Sequence, residues 1–123
     1  MFVEYNANPN GDNIGDCVIR AITKVLNLDY WDVFDELCDL MDETPGANYI
    51  NQYSVFKKFF DNHGWEIREV ISKRTVKQFA EQFNCLDYLL LVRGHMTAVC
   101  NGDIYDTWNP SRYRVQFVII PCK

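Results

Sequence analysis

A cysteine at the start of a predicted helix is the residue of this sequence best placed to do chemistry. Cys17 follows the turn formers Gly15 and Asp16 and opens an apolar helical run at 18–22. The N–H groups in the first turn of a helix have no partner inside the helix, and the helix dipole is positive there. Both effects favour the thiolate, which is the nucleophilic form of cysteine. The position of Cys17 therefore predicts a reactive sulfur.

A predicted β-hairpin near the C-terminus supplies a histidine and an acid. The dipeptide Asn101-Gly102 is a strong signal for a two-residue hairpin turn. A turn centred there pairs His95 with Trp108 and brings Asp106 to the same face, on the diagonal from His95. A carboxylate in that position can orient an imidazole, and the imidazole can then take a proton from a thiol. The hairpin thus predicts a base and its orienting acid for the sulfur.

The elements that must position these residues follow from periodicity. Apolar spacing of three and four predicts helices at about 17–27, 29–42, 51–62 and 75–83, and alternation predicts strands at about 65–70, 88–92, 95–100, 103–108 and 113–120. Helices come first and most strands follow, which predicts an α+β fold with N-terminal helices packed on a C-terminal antiparallel sheet. A chain of 123 residues is expected to form one domain, 1–123, with its cleft between the first helix and the hairpin.

The order of these groups along the chain resembles that of papain-like cysteine peptidases. The similarity is greatest to the small bacterial branch that trims double-glycine leader peptides, and to its stand-alone relatives in bacteria and phages. The matching residues fall in that branch's nucleophile, His and Asp motifs: Asp16, Cys17 and Ala21, then His95 with 97–99, then Asp106 and Pro110. The resemblance implies a papain-like fold and a catalytic triad of Cys17, His95 and Asp106.

The sequence departs from that family at the oxyanion donor. The clan usually carries a Gln shortly before the nucleophile, and no Gln precedes Cys17 here. Asn13 or Asn10 could supply an amide donor beside the backbone N–H of Cys17, and Asn13 is the nearer of the two in sequence. Loss of one such donor costs about 2.7–4 kcal/mol of transition-state stabilisation.

Two further residues are candidates for substrate binding. Arg20 lies three residues after Cys17 and projects near the same side, where it would meet an acidic substrate or form a surface salt bridge with Asp16. Asp16 itself is expected as the N-cap of the first helix. Trp108 shares the predicted face of His95, where it would shield the histidine's hydrogen bond from water or pack in the core.

Composition limits the class of protein and its partners. The net charge is −5 and the 12 basic residues form no run, which argues against nucleic acid or an anionic membrane as partner. The longest apolar run, 89–92, is too short to span a bilayer, and the N-terminus lacks the pattern of a signal peptide. The five cysteines are scattered without CxxC spacing, which favours reduced thiols over a zinc site or a disulfide framework. We therefore expect a cytoplasmic protein that acts on a peptide or protein substrate.

These features together predict a cysteine-dependent hydrolase that cleaves a peptide or isopeptide amide and needs no metal or cofactor. One alternative keeps the triad and changes the reaction to that of an amidase, a deamidase or a transglutaminase-type enzyme. Another is a catalytically inactive binding module on the same fold. His63, the only other histidine, precedes Gly64 and is expected at a helix end, where a cation is favoured by the dipole.

Overall fold

A computed structural model describes residues 1–12 and 15–122 of the chain. Within these ranges the chain forms four helices and six strands, in the order β1 (Phe2–Glu4), α1 (Cys17–Leu26), α2 (Tyr30–Asp42), α3 (Tyr53–Asn62), β2 (Trp65–Glu69), α4 (Val76–Gln82), β3 (Asp87–Val92), β4 (His95–Cys100), β5 (Asp103–Asp106) and β6 (Phe117–Pro121). The predicted α+β class is confirmed. None of the helices in the described part of the chain is long and apolar enough to cross a bilayer.

The six strands form one mixed sheet rather than the expected antiparallel one. The strand order is β1-β5-β4-β3-β6-β2, and its neighbours are antiparallel except at one edge. There β1 lies parallel to β5, with Phe2 opposite Ile104 and Glu4 opposite Asp106. A strand of three residues is too short to show a period of two, so the sequence pattern gave no signal for it.

The helices cover both faces of the sheet. Successive residues of a strand point to opposite faces, so the two halves of β3 belong to two different cores. Leu89 and Leu91 pack in the core under α1, α2 and α3, whereas Tyr88, Leu90 and Val92 pack in the core under α4. The N-terminal helices therefore lie on the sheet as predicted, and α4 closes the face that they leave open.

Helix α1 is positioned by an apolar stripe on its inner side. Val18, Ile19 and Ile22 are buried, and the helix packs against β3, β4 and β5. It ends where Asn27 adopts a left-handed conformation with φ of 55°, a common way to terminate a helix. This packing carries the first residue of the helix, Cys17, to the end of the sheet where β4 begins.

The β4–β5 hairpin has the predicted register. Ala98 pairs with Tyr105 and Val99 with Ile104. Asn101 and Gly102 both have positive φ, 49° and 82°, as the mirror-image turn of a two-residue hairpin requires.

Two strand ends differ from the prediction. β5 ends at Asp106 rather than at residue 108, and β6 begins at Phe117 rather than at residue 113. The connection between them contains Pro110, which has no N–H to donate to a ladder, and a turn in which Ser111 N–H donates to Asn109 Oδ1 at 3.1 Å. The backbone between β5 and β6 therefore forms a loop beside the candidate site.

Candidate active site

The three residues predicted to do chemistry lie at one end of the sheet. Cys17 is the first residue of α1, His95 the first of β4 and Asp106 the last of β5. Because β4 and β5 are antiparallel neighbours, the beginning of one strand lies beside the end of the other. The packing of α1 on β4 brings the helix start to the same place.

His95 and Asp106 form a short buried hydrogen bond. Nε2 of His95 lies 2.6 Å from Oδ2 of Asp106, and the two residues are 8% and 5% exposed. The other carboxylate oxygen, Oδ1, accepts the backbone N–H of Thr107 at 2.7 Å. Asp106 is thus held at both oxygens, and Nδ1 is the ring nitrogen of His95 that remains for a second partner.

The second partner of His95 is the thiol of Cys17. Burial raises the pKa of the half-buried Cys17, but several contacts act in the opposite direction. Hydrogen bonds from His95 and from the backbone N–H of Met96, and the positive charges of His95 and Arg20, bring the pKa below its ordinary value. The environment of this sulfur therefore favours the thiolate.

The imidazole of His95 is shifted in the complementary direction. Burial lowers the pKa of His95, but hydrogen bonds to Asp106 and Cys17 and the negative charges of both partners raise it to about 9. The two shifts act together to favour an imidazolium beside a thiolate. A thiolate–imidazolium pair combines a nucleophile with a proton donor at one site.

The other four cysteines, all within the described ranges, have different surroundings. Burial and nearby acidic groups raise the pKa of Cys100 to about 11 and raise the pKa of Cys38 as well. Both are half-buried rather than fully in the core, and Cys85 and Cys122 are exposed. Of Cys17, Cys38 and Cys100, only Cys17 has surroundings that lower its pKa.

Arg20 is buried, which corrects the prediction of a surface salt bridge. Its side chain is about as inaccessible as that of His95, and it lies between two carboxylates. Nη1 donates to Oδ1 of Asp16, and Nη2 lies 3.9 Å from Oδ1 of Asp106. Arg20 borders a small cavity beside Cys17 but not the larger groove described below, so contact with an acidic substrate stays a prediction.

Asp16 occupies the N-cap position of α1 as predicted, but its side chain belongs to the same buried cluster. Its side chain makes no cap hydrogen bond to the first turn of α1. Instead Oδ2 accepts the hydroxyl of Tyr30 at 2.6 Å and the amide of Asn8 at 3.1 Å. The four-residue spacing predicted the pairing of Asp16 with Arg20, but nothing in it indicated the burial of the pair.

Trp108 covers one side of the His95 ring. The ring centroids are 4.5 Å apart with an interplanar angle of 38°, and Trp108 also contacts the ring of Tyr113. Its side chain is 39% exposed, so it is a cover at the surface rather than a core residue. Of the two predicted roles, shielding of the histidine is the one compatible with this position.

Cys17 and His95 open into an uncharged groove of about 340 Å³ between the start of α3 and the β3–β4 turn. Among the described residues that line it, none is Asp, Glu, Lys or Arg. Aromatic and amide side chains dominate the α3 side, namely Tyr49, Asn51, Gln52, Tyr53 and Phe56. Sequence patterns could not identify this groove because its lining comes from segments far apart in the chain.

Of the remaining predicted groups, His63 has a described position apart from the pair. Asn13 falls outside the described residues, and Asn10 is exposed. His63 ends α3, where its Nε2 lies 2.8 Å from Glu36 and its ring stacks on Phe59 at 4.2 Å. Within the described part of the chain, no group of three or more His, Cys, Asp or Glu side chains is arranged to hold a metal ion.

Comparison with known proteins adds no relative to this description. No family model matches the chain, and neither the curated proteins nor the solved structures include a significant match.

Proposed function

We propose that this protein is a cysteine-dependent hydrolase that cleaves a peptide or isopeptide amide. In this proposal Cys17 is the nucleophile, His95 is the general base and acid, and Asp106 orients His95. The observation that carries the proposal is His95 hydrogen-bonded to Asp106 at 2.6 Å and lowering the pKa of Cys17, with both Cys17 and His95 lining an open groove.

The reaction begins with attack of the Cys17 thiolate on the substrate carbonyl carbon. A C–S bond forms, the carbonyl π electrons move to oxygen, and the tetrahedral intermediate carries an oxyanion. The imidazolium of His95 then donates its proton to the amide nitrogen as the C–N bond breaks. The amine leaves, and the acyl group stays on Cys17 as a thioester.

Hydrolysis of the thioester uses the same groups in the reverse sense. Neutral His95 removes a proton from water, and the resulting hydroxide attacks the thioester carbonyl. The C–S bond breaks, the carboxylic acid is released, and Cys17 returns as a thiolate beside imidazolium. Asp106 keeps Nε2 of His95 engaged throughout, so Nδ1 faces the reacting atoms.

The oxyanion needs a preorganised donor, and the start of α1 supplies one. The backbone N–H of Cys17 lies in the first helical turn, where N–H groups have no partner inside the helix. The amide of Gln52 is a second candidate from the groove wall, since its Oε1 accepts the N–H of Asn48 at 3.1 Å and leaves its NH₂ for another acceptor. Asn13 remains the candidate predicted from the sequence.

The lining of the groove favours a peptide over a small amide. The groove is open beside the start of α3, and amide side chains such as Asn51 and Gln52 can hydrogen-bond to a peptide backbone. A papain-like relationship is part of the same proposal. It is supported by a nucleophile at a helix start followed in the chain by His and Asp on adjacent antiparallel strands.

The first test is the pH dependence of alkylation at each cysteine, read by mass spectrometry after brief exposure to iodoacetamide. We expect Cys17 to react well below pH 8.5, about the pKa of a free thiol, and to lose this advantage in His95→Ala. The exposed Cys85 and Cys122 serve as reference thiols in the same sample. A Cys17 that reacts no faster than these references at low pH would refute the proposed pair.

The second test is cleavage of a diverse peptide mixture, with new termini detected by mass spectrometry and Cys17→Ala as the control. New C-termini that require Cys17 support the proposal. Release of ammonia without new termini would overturn it in favour of an amidase or deamidase. Absence of both products, and of a Cys17 adduct with peptide or ubiquitin-type electrophiles, would overturn it in favour of a binding module.

A further inference from the structure

We propose that Arg20 is a positioning residue that ties the helix of the nucleophile to the carboxylate that orients the base. Its guanidinium reaches Asp16 at the start of α1 and Asp106 at the end of β5. As a statement about catalysis this rests on the proposed function. As a statement about the Cys17–His95 pair it can be tested without any substrate.

The geometry gives Arg20 a place that Lys24, the other basic residue of α1, does not share. It lies one helical turn after Cys17, so its backbone moves with the nucleophile. Its Nη2 faces Oδ1 of Asp106, while Oδ2 of the same carboxylate binds His95. One buried side chain therefore connects the helix that carries the sulfur with the acid that holds the imidazole.

The second carboxylate anchors the guanidinium from the opposite side. Asp16 is 4% exposed and accepts the Tyr30 hydroxyl from α2 and the Asn8 amide from the N-terminal loop, besides Arg20. These bonds fix Asp16, and through it Arg20, against two further parts of the chain. A planar guanidinium can serve two carboxylates at once, which a lysine ammonium on a flexible stem does less well.

The charged groups around this position come from three elements. Asp16 and Cys17 lie at the start of α1, and His95 and Asp106 lie on β4 and β5. Arg20 adds positive charge near the Cys17 sulfur and so favours its ionised form. Its loss should therefore alter both the geometry and the charge of the pair.

Lys24 provides a matched control on the same helix. It lies one turn further along α1, with its ammonium 4.1 Å from the Tyr105 ring centroid and 5.0 Å from that of Tyr5. Lys24→Met removes one positive charge from α1, as Arg20→Gln does, but leaves both carboxylates of the cluster paired. A general effect of helix charge would appear in both variants.

The experiment compares Arg20→Gln, Arg20→Lys and Lys24→Met with the wild type. Imidazole resonances are followed by NMR against pH. The chain has two histidines, and their resonances can be distinguished because His63 pairs with Glu36 whereas His95 pairs with Asp106. For Arg20→Gln we expect the His95 resonances and titration to change while those of His63 stay constant. The pH at which Cys17 becomes alkylated should rise, and Lys24→Met should match the wild type in both readouts.

The kinetic constants give a further measurement, because a purely structural role of Arg20 would not lower kcat selectively. If the proposed hydrolysis holds, Arg20→Gln should lower kcat by about 10- to 100-fold with KM changed little, as expected from misplacement of reacting groups. Arg20→Lys keeps the positive charge but not the contact with two carboxylates. Compared with Arg20→Gln, it should therefore recover part of the wild-type Cys17 alkylation profile but little of the wild-type kcat.

The outcomes separate this inference from the proposed function. Unchanged His95 resonances and Cys17 alkylation in Arg20→Gln would overturn the role of Arg20, whether or not the wild type cleaves peptides. A wild type without turnover would overturn the function and leave the NMR and alkylation test intact. If Arg20→Gln does not fold, the role of Arg20 is tested with Arg20→Lys and with Tyr30→Phe, which removes a hydrogen bond to Asp16. A shift of the His95 resonances in these two supports the role, and unchanged resonances refute it.

Discussion

The imidazole of His95 meets the carboxylate of Asp106 across the diagonal of the β4–β5 hairpin, with Nε2 and Oδ2 2.6 Å apart. The hairpin register makes this contact, because Ala98 pairs with Tyr105 and the strands continue in step toward the open end. A tight turn between the strands thus determines which acid faces the histidine. Cys17 reaches this pair from another element, α1, because of tertiary packing and not because of local sequence.

The pH profile of kcat/KM should be bell-shaped with its alkaline limb near pH 9. The pKa of Cys17 is lowered, so the reactive thiolate persists below the ordinary thiol range, and the acid limb should lie below pH 8.5. The pKa of His95 is raised to about 9, so the proton needed by the leaving amine is lost as the pH rises through that value. Initial rates on a cleaved peptide between pH 5 and 11 measure both limbs. An alkaline limb near pH 6.5 would contradict the raised pKa of His95.

Asp106→Asn should lower kcat by about 10²–10⁴-fold. The amide keeps the shape of the side chain but carries no negative charge, so the imidazolium loses its stabilising partner. The pKa of His95 should fall for the same reason, and the alkaline limb of the profile should move to lower pH.

The control for that variant is Asp103→Asn on the same strand. Asp103 faces the N-terminal amino group at 3.4 Å and is remote from His95 in the register. It should retain wild-type kcat and the wild-type alkaline limb. Equal losses in the two variants would point to a general effect on the hairpin and not to orientation of His95.

Trp108→Ala should weaken catalysis more than it weakens the fold. An aromatic contact of this kind is worth about 0.5–1.5 kcal/mol, which corresponds to roughly a 2- to 12-fold fall in kcat if it acts at the transition state. Trp108 lies against the His95 ring and is partly exposed, so little core packing is lost. Trp108→Phe keeps a ring over the imidazole and should recover most of the rate. A fall in the melting temperature with kcat unchanged would assign Trp108 a packing role alone.

Gly102→Ala should destabilise the protein by about 1–2 kcal/mol or more. Gly102 has φ of 82° in the hairpin turn, and a Cβ there would lie 3.0 Å from Cβ of Asn84. Gly94→Ala is the matched variant, since its φ is 71° but nothing lies within 4 Å of the added atom. Urea unfolding should show a larger loss for Gly102→Ala than for Gly94→Ala. A loss of stability no larger than that of Gly94→Ala would mean that Asn84 can shift away from the added Cβ without lowering the free energy of unfolding.

Several features of the site could be predicted from sequence because they depend on neighbouring residues. The start of α1 at Cys17 follows from turn formers before an apolar helical stripe. The register that joins His95 to Asp106 follows from the Asn101-Gly102 turn and the period of two. In each case the information lies within about a dozen residues of chain.

The buried cluster around Arg20 could not be predicted in this way. An arginine and an aspartate four residues apart are usually a solvated pair, and sequence alone gives no sign that Tyr30 and Asp106 close over them. The same limit applies to two features of the fold. The pairing of β1 with β5 and the position of α4 on the second face of the sheet both depend on contacts between segments far apart in the chain.

The sequence by itself determined the helices, most strands, the hairpin register and the choice of Cys17, His95 and Asp106 as candidates, because these rest on local periodicity and turn chemistry. Only the tertiary structure decided that the Cys17 thiol meets His95, that Arg20 is buried between two carboxylates, and that the groove wall is uncharged. Burial and contact between distant elements set these properties, since they determine which charges are desolvated and which partners they find.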